Sequence, residues 1–127
     1  MKKIFITGGA GLIGSILNKH LSNNYQILNL DISNSKNNLS ETIVGDMNIY
    51  KDVLNGSKGC SVIIHLGAVV SVDSSWDLVL KNNIESTRNV YEAARKNNVE
   101  KVIFASSNHA VGLFENDEPY KQIVAGD

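Results

Sequence analysis

The sequence predicts an α/β fold, a doubly wound parallel sheet of about five strands in the order 3-2-1-4-5. Three observations carry that expectation. Short apolar runs alternate with longer stretches of helical periodicity, which implies βαβ units, right-handed crossovers and a parallel sheet. The first run, Ile4-Phe5-Ile6, opens into glycines at 8, 9, 11 and 14 and then into an amphipathic stretch. The second run ends in Asp31, twenty residues after Gly11. A strand, a glycine-rich turn, a helix and then a carboxylate at that distance form the dinucleotide-binding arrangement of a Rossmann-type sheet.

Two glycine spacings overlap at the turn. Gly9-x-Gly11-x-x-Gly14 fits the general fingerprint, and Gly8-x-x-Gly11-x-x-Gly14, after Thr7, fits a second form. The early glycines permit the tight turn and the approach of backbone to a pyrophosphate, and Gly14 lets the helix pack close to the strand. The helix N-terminus adds free N–H groups and the positive end of its dipole. Gly8, Gly11, Leu12, Ile13 and Gly14 are therefore the expected phosphate-facing stretch. A plain glycine turn is the competing reading, and the carboxylate of Asp31 weighs against it.

At 127 residues the prior is one domain, spanning 1–127, and its 43% hydrophobic and 20% charged content is that of a globular chain. The net charge of −1 gives no electrostatic case for nucleic acid or an anionic membrane. No apolar run approaches the length of a membrane span. Lys2-Lys3 followed by only three apolar residues does not make a signal peptide. The single Cys60 has no internal disulfide partner and reads as a buried, inert thiol in a reducing, cytoplasmic setting. The three histidines lack metal-ligand spacing, so no metal is expected.

In chain order, Leu12 to Leu21 carries apolar residues at 12, 13, 16, 17 and 21, the spacing of a helix with one buried face. Tyr25 to Leu30 is the second strand and Asp31 its C-terminal end. Ser33 to Ser40 is polar and rich in asparagine, a surface loop. Glu41 to Val44 is the third strand. Asn48 to Leu54 is a short helix stopped by Asn55-Gly56. Ser61 to Leu66 is nearly all apolar, as a strand covered on both faces should be. Its His65 is expected to pack within the strand, and His20 to lie on a solvated helix face. Ser74 or Ser75 caps a long helix running to about Asn97, Lys101 to Phe104 is the fifth strand, and a polar tail with the only proline, Pro119, follows. Ligands of such a sheet bind outside the C-terminal ends of the strands, near the switch between strands 1 and 4. Asp46, Gly67-Ala68 and Ser106 to His109 all fall at those ends.

Three further stretches sharpen this into a resemblance: His65-Leu-Gly-Ala-Val-Val-Ser71-Val, Asn83-Ile-x-x-x-x-Asn89-Val-Tyr91-Glu-Ala-Ala-Arg95, and Val102-Ile-Phe-Ala-Ser-Ser-Asn-His109-x-x-Gly112. From residue 2 to about 115 the chain resembles the extended short-chain dehydrogenases, the NAD-dependent epimerase/dehydratase family. Within that family the Ser-Ser-Asn-His form is similar to the uronate dehydrogenases. The resemblance implies NAD as cofactor, Asp31 with Ile32 at the adenosine ribose, Asp46 with Met47 near adenine, and Leu66, Gly67 and Ala68 lining the cofactor beyond the pyrophosphate. It also implies that Ser107 is the catalytic serine, that Ser71, Asn108 and His109 contact a polar sugar acid, and that Asn83 supports the site. Read from the residues alone, Asp46 is equally a helix cap and Ser106-Ser107 are loop residues capping backbone groups. The carboxylate of Asp31 repels a 2′-phosphate and the next residue is Ile32, so NAD is expected over NADP, with Lys36 the one opposing feature.

The resemblance stops short in one respect. The family's proton-transferring tyrosine, in a Tyr-x-x-x-Lys helix, lies well downstream of the serine, beyond Asp127. Tyr120 is too early, and Val124 stands four residues after it. The chain is therefore expected to be a truncated, N-terminal NAD-binding part, nearly inactive by itself, because a positioned acid–base group contributes about 10²–10⁴-fold. An exposed edge at the fifth strand and an uncovered 74–97 helix are expected to favour self-association. The alternatives are part of a nucleotide-sugar epimerase or dehydratase, and a non-catalytic NAD-binding module.

Overall fold

The structure, a computed structural model, describes residues 1–34, 40–107, 110 and 116–126. Its centre is β1 (Lys3–Thr7), whose Ile4, Phe5, Ile6 and Thr7 are all buried. Around it lie β2 (Gln26–Asp31), β3 (Glu41–Val44), β4 (Val62–His65) and β5 (Lys101–Phe104), all parallel, in the order β3-β2-β1-β4-β5. The expected order and all five strands are thus present. The register pairs Thr7 with both Leu30 and His65, so the three central strands end level with one another.

Side chains alternate across the sheet, so each face has its own core. Phe5, Leu28, Leu30 and Ile63 pack with Val53 of α2 (Tyr50–Gly56) and with Val90, Ala93 and Ala94. Ile4, Ile6, Ile27 and Ile64 pack with Leu17 and Leu21 of α1 (Leu12–Leu21). Cys60 is buried in the first cluster; burial pushes its thiol up, against the opposing charge of Lys3. The edge strand β5 leaves Ile103 and Phe104 about half exposed, the edge at which self-association was expected.

β2 and β4 differ from expectation by one residue at each end, and three segments differ by more. The short helix begins at Tyr50 rather than Asn48, because Asp46–Ile49 forms a turn of its own, closed by the Ile49 N–H on the Asp46 carbonyl, and it runs through Asn55-Gly56, the expected stop. The long crossover is not one α-helix: α3 (Trp76–Val79) and α4 (Ser86–Lys96) flank a π-helical stretch at Leu80–Glu85. There the Ser86 N–H reaches back to the Lys81 carbonyl, and the Ser86 and Thr87 hydroxyls donate to the carbonyls of Asn82 (2.5 Å) and Asn83 (2.6 Å). Of the two candidate caps, Ser75 accepts the Leu78 N–H. The polar tail contains a helix, α5 (Tyr120–Ala125), behind Pro119, whose fixed φ and missing N–H suit a helix start. No helix among the described residues is long and apolar enough to cross a membrane.

Candidate functional site

A crevice of about 400 Å³ opens outside the C-terminal ends of β1, β2, β3 and β4, within the range of small-ligand sites. Its floor is the glycine-rich turn. Gly8 takes φ +72°, and a Cβ there would lie 2.8 Å from the Gly67 backbone nitrogen. A Cβ on Gly14 would meet the carbonyls of Gly8 and Gly9 at 2.6 Å, so only glycine lets α1 start this close to the turn. Leu12 and Ile13, in the first turn of α1, are exposed and lie outside the crevice lining.

The β2 side carries the carboxylate. Asp31 Oδ2 accepts the Ala10 N–H at 2.9 Å and Oδ1 the Ser33 N–H at 3.3 Å. This fixes the carboxylate against the turn and leaves lone pairs for further donors. Ile32, 77% exposed, and Ser33 line the same wall. The loop after β3 brings Gly45, Asp46 and Met47. Asp46 Oδ1 accepts both the backbone N–H of Asn48 (2.9 Å) and its side-chain amide (2.8 Å), so it caps a turn and lines the crevice at once. The same amide donates to Asn82 Oδ1 at 2.9 Å. The other end of that amide, Asn48 Oδ1, is buried without a partner among the described residues, the cost of turning the nitrogen toward Asp46 and Asn82.

The β4 side supplies Leu66, Gly67, Ala68 and Val69. A Cβ on Gly67 would lie 2.4 Å from Met47 Sδ, so this wall and the β3 loop are in direct contact. Asn83 clasps Val69: its Nδ2 donates to the Val69 carbonyl (2.9 Å) and its Oδ1 accepts the Val69 N–H (2.8 Å). Asn83 therefore acts on the crevice through Val69. Its neighbour Asn82 lines the crevice directly. Behind this wall His65 is buried with no charged partner among the described residues, and burial lowers its pKa to about 4.

Nine of the expected residues share the crevice: Gly8, Gly11, Asp31, Ile32, Asp46, Met47, Leu66, Gly67 and Ala68. Ser71 and Ser107 are exposed on the loops after β4 and β5, outside its lining. Asn108, His109 and Lys36 lie outside the described residues. Ala10, Leu30, Ser33, Gly45, Val69 and Asn82 join the lining without having been expected. For Ala10 and Val69 the signal was available, since each sits within a stretch already singled out.

Comparison with known proteins agrees with this geometry. The model of the NAD dependent epimerase/dehydratase family matches residues 4–124. An NAD-dependent glucose-6-phosphate dehydrogenase of Haloferax volcanii is 34% identical over 91% of this chain and 47% of its own length. A uronate dehydrogenase of Pseudomonas putida is 37% identical over 91% of this chain and 44% of its own. Among solved structures, a variant of the Agrobacterium tumefaciens uronate dehydrogenase complexed with NAD superposes with a TM-score of 0.75 at 32% identity, covering 86% of this chain and 42% of that one. The chain thus spans less than half the length of the curated relatives it matches. With a family match over nearly its whole length, a 3-2-1-4-5 sheet, and glycine turn and carboxylate in one crevice, the chain belongs to the NAD-dependent epimerase/dehydratase family.

Proposed function

We propose that these 127 residues form the NAD-binding domain of an NAD-dependent sugar dehydrogenase of the uronate type. The observation that carries the reading is the Asp31 carboxylate, tied to the glycine turn through the Ala10 N–H at 2.9 Å within the crevice. In this reading the carboxylate accepts the ribose hydroxyls of adenosine, the turn and α1 N-terminus receive the pyrophosphate, and Asp46 faces adenine. A 2′-phosphate would meet Asp31 at close range, which favours NAD over NADP. NAD, when bound, accepts the hydride that leaves a CH–OH carbon.

Leu66 to Val69 hold the next part of the cofactor, and Ser107, on the loop beyond β5, holds the substrate oxygen. Ser71, Asn108 and His109 are proposed to face a polar sugar acid. None of the four tyrosines has a lysine four residues on, so these residues alone are proposed to bind cofactor with little turnover. The similarity to uronate dehydrogenases favours a sugar acid over a nucleotide sugar.

The test is the thermal midpoint with NAD and with NADP. A ligand at a hundredfold excess over its Kd adds about 2.7 kcal/mol, which for a domain near this size raises the midpoint by roughly 10 °C. A rise with NAD and little with NADP is the expected result. A cooperative melt that neither cofactor moves would refute the reading.

A further inference from the structure

We propose that His65 is a positioning residue for the crevice: as the neutral Nε2–H tautomer it ties the glycine-rich turn, through Thr7, to the Leu66–Val69 wall, through Thr87 and Asn83. The inference rests on the cofactor reading above for its ligand and on hydrogen-bond accounting for its mechanism.

The Asn83 carbonyl can only accept. The Thr87 hydroxyl lies 2.6 Å from the Asn83 carbonyl oxygen and must spend its one hydrogen there. Toward His65 Nε2, 3.1 Å away, Thr87 Oγ1 is then an acceptor, so Nε2 carries the ring hydrogen. In a neutral imidazole Nδ1 is left with a lone pair. The Thr7 hydroxyl, 2.6 Å from Nδ1, donates to it. Thr7 Oγ1 in turn is free to accept the Gly67 N–H, 3.4 Å away. Every hydrogen has one acceptor, and reversing any link leaves two donors or two acceptors facing each other.

The network reaches both sides of the crevice. Thr7 precedes Gly8, and Gly67 is part of the opposite wall. Asn83, whose carbonyl is fixed by Thr87, clasps Val69 through both atoms of its amide. The ring of Phe104 on β5 covers His65, with centroids 5.7 Å apart. No titratable side chain faces the imidazole among the described residues. Lys3 and Lys101 lie at the far ends of their strands, Lys81 and Glu85 are exposed on the π-helical stretch, and Arg88, Glu92, Arg95 and Lys96 are exposed on α4. Protonating Nδ1 turns the acceptor of the Thr7 hydroxyl into a second donor, and the link from the turn to the ring reverses or opens.

The test uses Thr87→Val, which keeps the shape and removes the hydroxyl, and Thr87→Ser, which restores it. Ring-nitrogen NMR should find Nε2 protonated and Nδ1 bare in the unmodified chain. In Thr87→Val the Val69 amide should exchange about tenfold faster, and the Kd for NAD should rise about tenfold, the loss of one hydrogen bond's free energy. Thr87→Ser should return both toward their original values, which a general loss of packing would not predict. A ring protonated on Nδ1 overturns the inference, and so do equal NAD Kd and equal Val69 exchange in the unmodified chain and Thr87→Val. Failure of the cofactor reading looks different, because the unmodified chain itself then binds no NAD.

Discussion

The two faces of the sheet carry the same kind of device built from different chemistry. On the α1 face, Asn18 and Asn29 are buried and exchange amide hydrogen bonds at 3.1 and 3.0 Å. Asn18 also donates to the Gly14 carbonyl at 2.8 Å, and Asn29 to the Glu41 carbonyl at 3.3 Å. The pair therefore ties α1 to β2 and β3 directly under the glycine-rich turn. A Cβ on Gly9 would fall 2.2 Å from Asn29 Oδ1, so the turn lies on the amide pair. On the α4 face the corresponding tie runs through His65, with hydroxyls on either side. Amides take up no proton in mild acid, whereas an imidazole does, here below its ordinary range because it is buried. The difference makes one buried tie indifferent to pH and the other acid-sensitive.

The largest expected effect follows from that difference. The ring has an ordinary pKa of 6.5 when unfolded, and burial lowers it to about 4 in the folded chain. Between those values the unfolded chain binds more protons than the folded one. The contribution is present in full above pH 6.5 and is lost as pH falls through about 4; at 1.36 kcal/mol per unit it amounts to about 3 kcal/mol. Urea unfolding at a series of pH values, with the ring titration followed by NMR, checks both parts. A ring that titrates near 6.5 in the folded chain would leave no such pH-dependent contribution to stability.

Next in size is the amide pair. Asn18→Leu removes both partners of the Asn29 carboxamide oxygen and nitrogen on α1, leaving a buried oxygen without a donor. About 2 kcal/mol should be lost, which lowers the thermal midpoint by roughly 8 °C. Adding Asn29→Leu should recover part of the loss, because apolar groups replace both members at once. If the double variant is less stable than the sum of the single ones, the pair is not the unit that holds this face.

Much of this architecture was legible in the sequence. Apolar periodicity placed β3, β5 and α1 at their observed bounds, and glycine spacing with Asp31 placed the floor and one wall of the crevice. These signals are local, and each is carried by neighbours in the chain. The buried polar ties were not legible, because their partners are brought together only by the crossovers: Asn18 with Asn29, and His65 with Thr7 and Thr87. An asparagine inside an apolar strand announces burial or a fault, but not its partner. The π-helical stretch did leave a trace. Apolar residues run 76, 78, 79, 80, 84 and then 90, and the positions where a regular helix would return, 87 and 88, hold Thr and Arg. That slip turns Asn82 toward Asn48 and Asn83 toward Val69. Read as one helix, the stretch hides Asn82 from the list of crevice residues.

The smallest expected effect separates affinity from stability. Asp31 stands outside both buried ties, at the rim, where its carboxylate is held by two backbone N–H groups and partly exposed. Asp31→Asn keeps the shape and an oxygen for the Ala10 N–H while removing the charge. The unliganded midpoint should move by no more than about 2 °C, the scale of a surface change. If Asp31 accepts the ribose hydroxyls as proposed, the Kd for NAD should rise about tenfold when that charged acceptor becomes neutral. The Kd for NADP should not rise with it, since the repulsion of the 2′-phosphate is relieved at the same time, and the preference for NAD narrows. Parallel titrations of the two cofactors measure that ratio. An unchanged ratio would move cofactor selection away from β2 and onto the loop that follows it.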